Sequence, residues 1–153
     1  MVFAIDFSFF TAVGDSSKHL LACVNLRLLT LKTELMAQPF AQGDDLIFQL
    51  ESGYGLLRVL AVEGEGVETI WHLLTYDEFF PDVDSAEQAL KQSEPLPIRN
   101  AHFALTNRAF ERTPAARLGN RAVTDDELIA YRSWLESERP VFDRSALLML
   151  GIR

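Results

Sequence analysis

Between Asp44 and Tyr76 the apolar residues fall into three short runs punctuated by glycine. Leu46, Phe48 and Leu50 alternate with Ile47, Gln49 and Glu51. Gly53-Tyr54-Gly55 interrupts them, Leu56 to Glu63 resumes, Gly64-Glu65-Gly66 interrupts again, and Val67 to Tyr76 follows. Glycine supplies the positive φ of tight hairpin turns at no steric cost. Close-spaced runs bounded by glycine therefore predict an antiparallel meander of three strands, with its turns at the two glycine triplets. Pro95 and Pro97 impose extended backbone, and Ile98 to Thr106 reads as a fourth strand.

Helical signals follow the meander. Asp77 to Asp84 reads as a loop rich in acids and aromatics, and Ser85 as the N-cap of a short helix, Ala86 to Gln92. Asn107 to Arg112 has room for one helical turn, and turn signals flank Ala115 to Leu118. Thr124-Asp125-Asp126-Glu127 has capping-box spacing and predicts a helix over 125–138 that Pro140 stops. Leu128, Tyr131 and Leu135, with Trp134 beside them, give that helix one apolar stripe. Asp143 or Ser145 then caps a last apolar turn, Ala146 to Leu150, ended by Gly151. Hairpin-linked strands followed by helices, without βαβ alternation, predict an α+β fold. The expected form is a small antiparallel β-meander or partly open barrel packed against a C-terminal amphipathic helix. Trp71, Phe103, Leu128, Tyr131 and Leu135 are the expected joint between sheet and helix.

Residues 1–35 break the pattern. Phe3 to Thr11 and Leu20 to Leu31 are apolar runs without clean period 2 or 3.6. One reading makes them an N-terminal extension with Met36 as the alternative start; the other packs them on the sheet as a strand and a helix. Either way 36–153 forms a single α+β domain. The whole chain of 153 residues is 48% hydrophobic and 24% charged, which excludes global disorder and leaves room for one core. Its net charge of −8 resides wholly in 36–153, because residues 1–35 carry three acids and three bases. Such a charge repels phosphate backbones and anionic membranes, so neither nucleic acid nor membrane is an expected partner. One cysteine, Cys23, permits no internal disulfide and no cysteine-based zinc site. Apolar runs interrupted by Asp6, Asn25 and Arg27 are too short to span a bilayer, and no basic n-region marks a signal peptide. The expected location is cytoplasmic.

Candidate chemistry is sparse. His72 and His102 fall on predicted strands, and with Asp77, Asp82 or Asp84 they would compose a two-histidine, one-carboxylate metal site. The spacing lacks His-x-His and H-E-x-x-H patterns, so half-buried, hydrogen-bonded histidines are the preferred reading, and neither metal nor cofactor is expected. Asp82-Val83-Asp84 opens like a calcium loop, but Glu87 and Ser93 occupy the positions that need glycine and glutamate. Neither glycine triplet precedes a helix, as a phosphate cradle requires.

Charge distribution is more informative. Five arginines (Arg99, Arg108, Arg112, Arg117, Arg121) face one acid between 99 and 121, flanked by acid-rich stretches at 77–94 and 125–143. Arg99, Arg108 and Arg112, with His102, are candidates for an anion site. The preferred alternative is internal pairing with the acidic flanks. Asp77, Glu78, Asp82, Asp84, Asp125 and Asp126 are candidates for a surface that meets a basic protein partner.

Gln42-Gly43-Asp44-Asp45-Leu46-Ile47-Phe48-Gln49-Leu50, followed by Gly53-Tyr54-Gly55 and Leu57-Arg58-Val59-Leu60, resembles the opening of a bacterial family of toxin-immunity proteins. The likeness covers residues 42–60, and the C-terminal half does not share it. It implies an SH3-like open barrel that binds a toxin and performs no chemistry. The leading expectation is thus a non-enzymatic cytoplasmic protein-interaction module, immunity-like or regulatory. The alternative is a small-ligand or anion-binding enzyme using Arg99, His72 and His102.

Overall fold

Leu46, Ile47 and Phe48 are all buried, and so are Leu56 to Leu60, because the sheet they build is covered on both faces. In the computed structural model, which describes residues 40–151, six strands pair in the order β5-β1-β2-β3-β4-β6. These are β1 (Asp44–Leu50), β2 (Gly53–Glu63), β3 (Ile70–Phe80), β4 (Ile98–Thr106), β5 (Ala115–Asn120) and β6 (Val141–Phe142). All neighbours are antiparallel except β4 and β6, which run parallel. The two outer strands do not meet, so the sheet is open. The mixed α+β architecture expected from the strand-then-helix order is present. Residues 1–35, Cys23 among them, lie outside the described residues.

Alternation of side chains divides the core in two. On one face Leu46, Phe48, Leu57, Val59, Trp71, Leu73, Phe103 and Leu105 pack under α2 (Asn107–Glu111) and α4 (Ala146–Met149). Trp71 fastens this side: its ring stacks 4.3 Å from Phe110, and its indole N–H donates to Asn107 Oδ1 at 2.9 Å. On the other face Ile47, Leu56, Leu60, Leu74, Tyr76 and Phe80 pack under α1 (Val83–Lys91), with Leu128 and Tyr131 around its border. Tyr131 belongs to α3 (Ile129–Leu135).

Several boundaries differ from expectation, each for a local reason. The first hairpin turns at Glu51-Ser52, since Leu50 pairs with Gly53. Gly53-Tyr54-Gly55 therefore lies within β2, and Gly55 is needed for space: a Cβ there would collide with the Phe48 ring across the strand pair. The second triplet does turn, at positive φ for Gly64 (75°) and Gly66 (59°), but a 3-10 turn at Gly66–Glu68 delays β3 to Ile70. Asp77 to Phe80 continue β3 rather than opening a loop. Asp82, not Ser85, caps α1, because its carboxylate accepts the Ser85 N–H at 2.7 Å. The capping box forms as expected, with Glu127 accepting the Thr124 N–H at 2.8 Å, yet the residues it opens are hydrogen-bonded turns. The α-helix spans only Ile129–Leu135. The expected joint is split between the two faces: Trp71 and Phe103 face α2, Tyr131 faces the opposite side, and Leu135 is only partly buried while Trp134 is the buried residue of α3.

Candidate functional site

The α1/α3 side of the sheet carries the polar interior of the molecule. Arg58 projects there from the centre of β2 and is fully buried. Its Nη1 donates to Asp45 Oδ1 (2.9 Å) and the Gly43 carbonyl (3.2 Å). Its Nη2 donates to the carbonyls of Ala122 (3.0 Å) and Arg121 (3.2 Å). Nε lies 2.8 Å from Glu127 Oε1, an ion-pair contact without hydrogen-bond alignment. One guanidinium therefore joins the entry to β1, the exit from β5 and the capping-box turn. Such a charge is tolerated away from water only because each face of its fork has a partner. Arg121 extends the network, with Nε 2.7 Å from Asp45 Oδ2 and Nη2 2.7 Å from the Tyr76 hydroxyl. Burial, with Asp45 nearby, pushes the Tyr76 phenol up to about 12, so it remains a neutral donor or acceptor.

A groove of about 380 Å³ opens beside this network. Leu90, Leu96, Ile98 and Tyr76 line it with apolar surface. Glu94 and Asp126 stand on it together with Thr124, and Arg121 and Glu127 reach it from the buried network. Pro95 and Pro97 stiffen the segment along one wall, and the Pro97 carbonyl is held by the Asp77 N–H at 2.8 Å. The wall is therefore built before anything binds.

Further along the same face, His72 and His102 come together. His72 Nδ1 lies 3.0 Å from His102 Nε2, and the rings stack at 5.3 Å. Tyr131 and Trp134 of α3 each sit 4.7 Å from the His72 ring. His72 is fully buried, and its Nε2 faces Glu63 Oε1 at 3.5 Å, while Glu63 accepts the Tyr131 hydroxyl at 2.7 Å. Desolvation lowers both imidazoles: His102 falls to about 4, with His72 adding to the drop and Glu63 opposing it. His72 shifts the same way, with Glu63 again opposing. With both rings neutral, one nitrogen donates and the other accepts across the contact; when His102 Nε2–H is the donor, the His72 Nε2–H faces Glu63 at 3.5 Å without a hydrogen bond.

The remaining predicted residues are dispersed. Arg99 faces Asp77 at 3.8 Å, whereas His102 is held by His72. Arg108 and Arg112 share one partner, Asp143, through its carboxylate (3.8 Å) and its carbonyl (3.4 Å). Arg117 lies 3.3 Å from the buried Asp44 carboxylate. Four of the five arginines thus face separate carboxylates, and Arg112 donates to a backbone carbonyl. Among the acids, Asp82 caps α1, Asp125 pairs with Arg132, and Glu78, Asp84 and Asp126 are exposed. The carboxylate that faces His72 is Glu63 rather than Asp77, Asp82 or Asp84, and among the described residues no three His, Cys, Asp or Glu side chains are placed to hold a metal. Sequence reasoning missed Arg58 and Asp45. Their signal was an arginine in mid-run, Leu57-Arg58-Val59-Leu60, where a strand buried on both faces has no exit for a charge. No protein-family model, no curated protein and no solved structure matches the chain. Among the described residues no helix is long and apolar enough to cross a membrane.

Proposed function

We propose that this chain is a non-enzymatic protein-interaction module that engages a basic protein partner, as an immunity-like or regulatory factor would. One observation carries the reading. Glu78, Asp84, Glu94 and Asp126 are exposed carboxylates without a basic partner among the described residues, while four of the five arginines of 99–121 face the carboxylates of Asp77, Asp143, Asp44 and Asp45. Exposed charge of one sign steers a partner of the other and adds specificity more than raw affinity. The enzyme reading needs Arg99 and the two histidines at one concave point. Arg99 instead faces Asp77, and His72 lies beneath two aromatic rings, an arrangement that favours the binding reading.

Affinity capture with the tagged full chain, from cells of its own source, tests this at low and at high salt. The expected result is a stoichiometric partner of basic pI, retained at low salt and released as screening rises. A partner that is acidic, or that stays bound unchanged at high salt, would overturn the electrostatic reading. Recovery of the chain alone at low salt would do the same.

A further inference from the structure

We infer that the groove between the end of α1 and the capping-box turn is where that partner inserts a lysine or arginine side chain, so the inference rests on the interaction reading above. The groove has the two surfaces such a side chain needs. Leu90, Leu96 and Ile98 offer an apolar bed for a methylene stem, and Ile98 is 49% exposed at its open side. Long cationic side chains lay their stems on apolar surface and keep the charged head at a polar rim.

The rim has the matching sign. Among the described residues Arg121 is the sole cation on the groove, and its charge is committed to Asp45 at 2.7 Å. Glu127 is committed to Arg58 at 2.8 Å. Glu94 and Asp126 are left as rim carboxylates with no partner among the described residues. Subtracting those two internal pairs leaves a groove with two uncompensated negative charges above an apolar floor. A carboxylate or phosphate ligand would meet repulsion there, and a purely apolar ligand would leave the rim unused. At about 380 Å³ the groove lies at the small end of ligand-sized clefts, which suits one side chain with its adjoining backbone. The proline-stiffened wall and the Arg58-anchored turn keep both sides in place before binding, which lowers the ordering cost.

The probe is an end-blocked hexalysine peptide, titrated into the isotopically labelled full chain and followed through backbone amide shifts, with end-blocked hexaglutamate as control. The expected shifts centre on Leu90, Leu96, Ile98, Thr124 and Asp126, weaken with salt, and are absent with hexaglutamate. The double variant E94Q/D126N, whose side chains lie outside the buried network, should keep the thermal midpoint and lose about fivefold or more in affinity, as two exposed ion pairs would. I98S should weaken binding with the carboxylates intact. Unchanged affinity in E94Q/D126N would overturn the groove assignment, and a loss in E78Q/D84N would then leave the interaction reading standing. Binding of neither peptide, by a chain that also captures no basic partner, would overturn both.

Discussion

At the scale of single residues, Arg58 and Asp45 decide how this side of the molecule closes. Three backbone carbonyls and two carboxylates converge on one buried guanidinium, so its removal strands several desolvated acceptors at once. Arg58→Met should therefore destabilise the fold by about 3–5 kcal/mol, measured by denaturant unfolding, despite the gain in apolar character. Asp45→Asn alone should cost less, because the amide oxygen can still accept from Arg58, which also keeps its three carbonyls and Glu127, and only the half-exposed Arg121 loses its Nε acceptor. The double variant should show a coupling of roughly 0.5–3 kcal/mol relative to the singles, since each removes the other's partner. Purely additive losses would mean that the pair contributes nothing as a pair. The charge was visible in the sequence, but its burial was not. An apolar run with one arginine is equally compatible with a strand whose arginine faces water, and only the cover laid over that face by Gly43, residues 121–122 and Glu127 decides the matter.

At the scale of elements, α3 shows how a helix can be read correctly in kind and wrongly in extent. The capping box forms, but Glu127 serves Arg58 as well as Thr124, and the chain stays in turns until Ile129. The apolar stripe also placed Leu135 inward, whereas Trp134 is the residue that reaches the histidines, its indole N–H tied to the Pro140 carbonyl at 2.9 Å. Trp134→Ala should accordingly cost about 3–5 kcal/mol and Leu135→Ala clearly less, by thermal or chemical denaturation. Beneath α3 the histidine pair makes the element sensitive to acid. His102 titrates at about 4 in the fold against 6.5 in an open chain, so the folded state favours the neutral ring. The resulting stability is fully present above pH 6.5 and is lost as pH falls from 6.5 toward 4. The loss should be on the order of 2–3 kcal/mol, because a tenfold change in proton affinity corresponds to about 1.4 kcal/mol and solvent reaches part of the ring. His72, lowered for the same reason, acts in the same direction. Melting curves across that range should show the decline, and His102→Gln should make it shallower, leaving the part that His72 contributes. An acid limb of undiminished depth in His102→Gln would move its origin to other groups.

At the scale of the whole molecule, what was legible followed the strength of the local pattern. The four strands with apolar runs appear in the sequence within a few residues of where they lie. β5 does not, because Ala115-Ala116-Arg117-Leu118-Gly119-Asn120 has no alternating pattern. It becomes a strand through β1, with Asn120 donating to the buried Asp44 carboxylate at 2.7 Å. β6 has two residues and two ladder pairs, too few for any periodic signal. The rim carboxylates of the groove were only half legible: Asp126 belongs to an acidic run, but its meeting with Glu94 depends on how α1 ends against the capping-box turn. The same contrast between strong and weak pairing predicts how the fold opens. β2 and β3 are flanked by strands on both sides and covered on both faces, whereas β6 hangs on β4 by its two pairs and α4 offers a single turn. Amide exchange under native conditions should therefore be slowest at Leu57–Leu60 and Leu73–Thr75 and approach the global unfolding free energy there. Val141, Phe142 and the α4 amides should exchange through a local opening that costs much less. If β6 and α4 exchanged as slowly as β2 and β3, the two-residue strand would be integral to the cooperative core, and the sheet would open as one unit rather than from this edge.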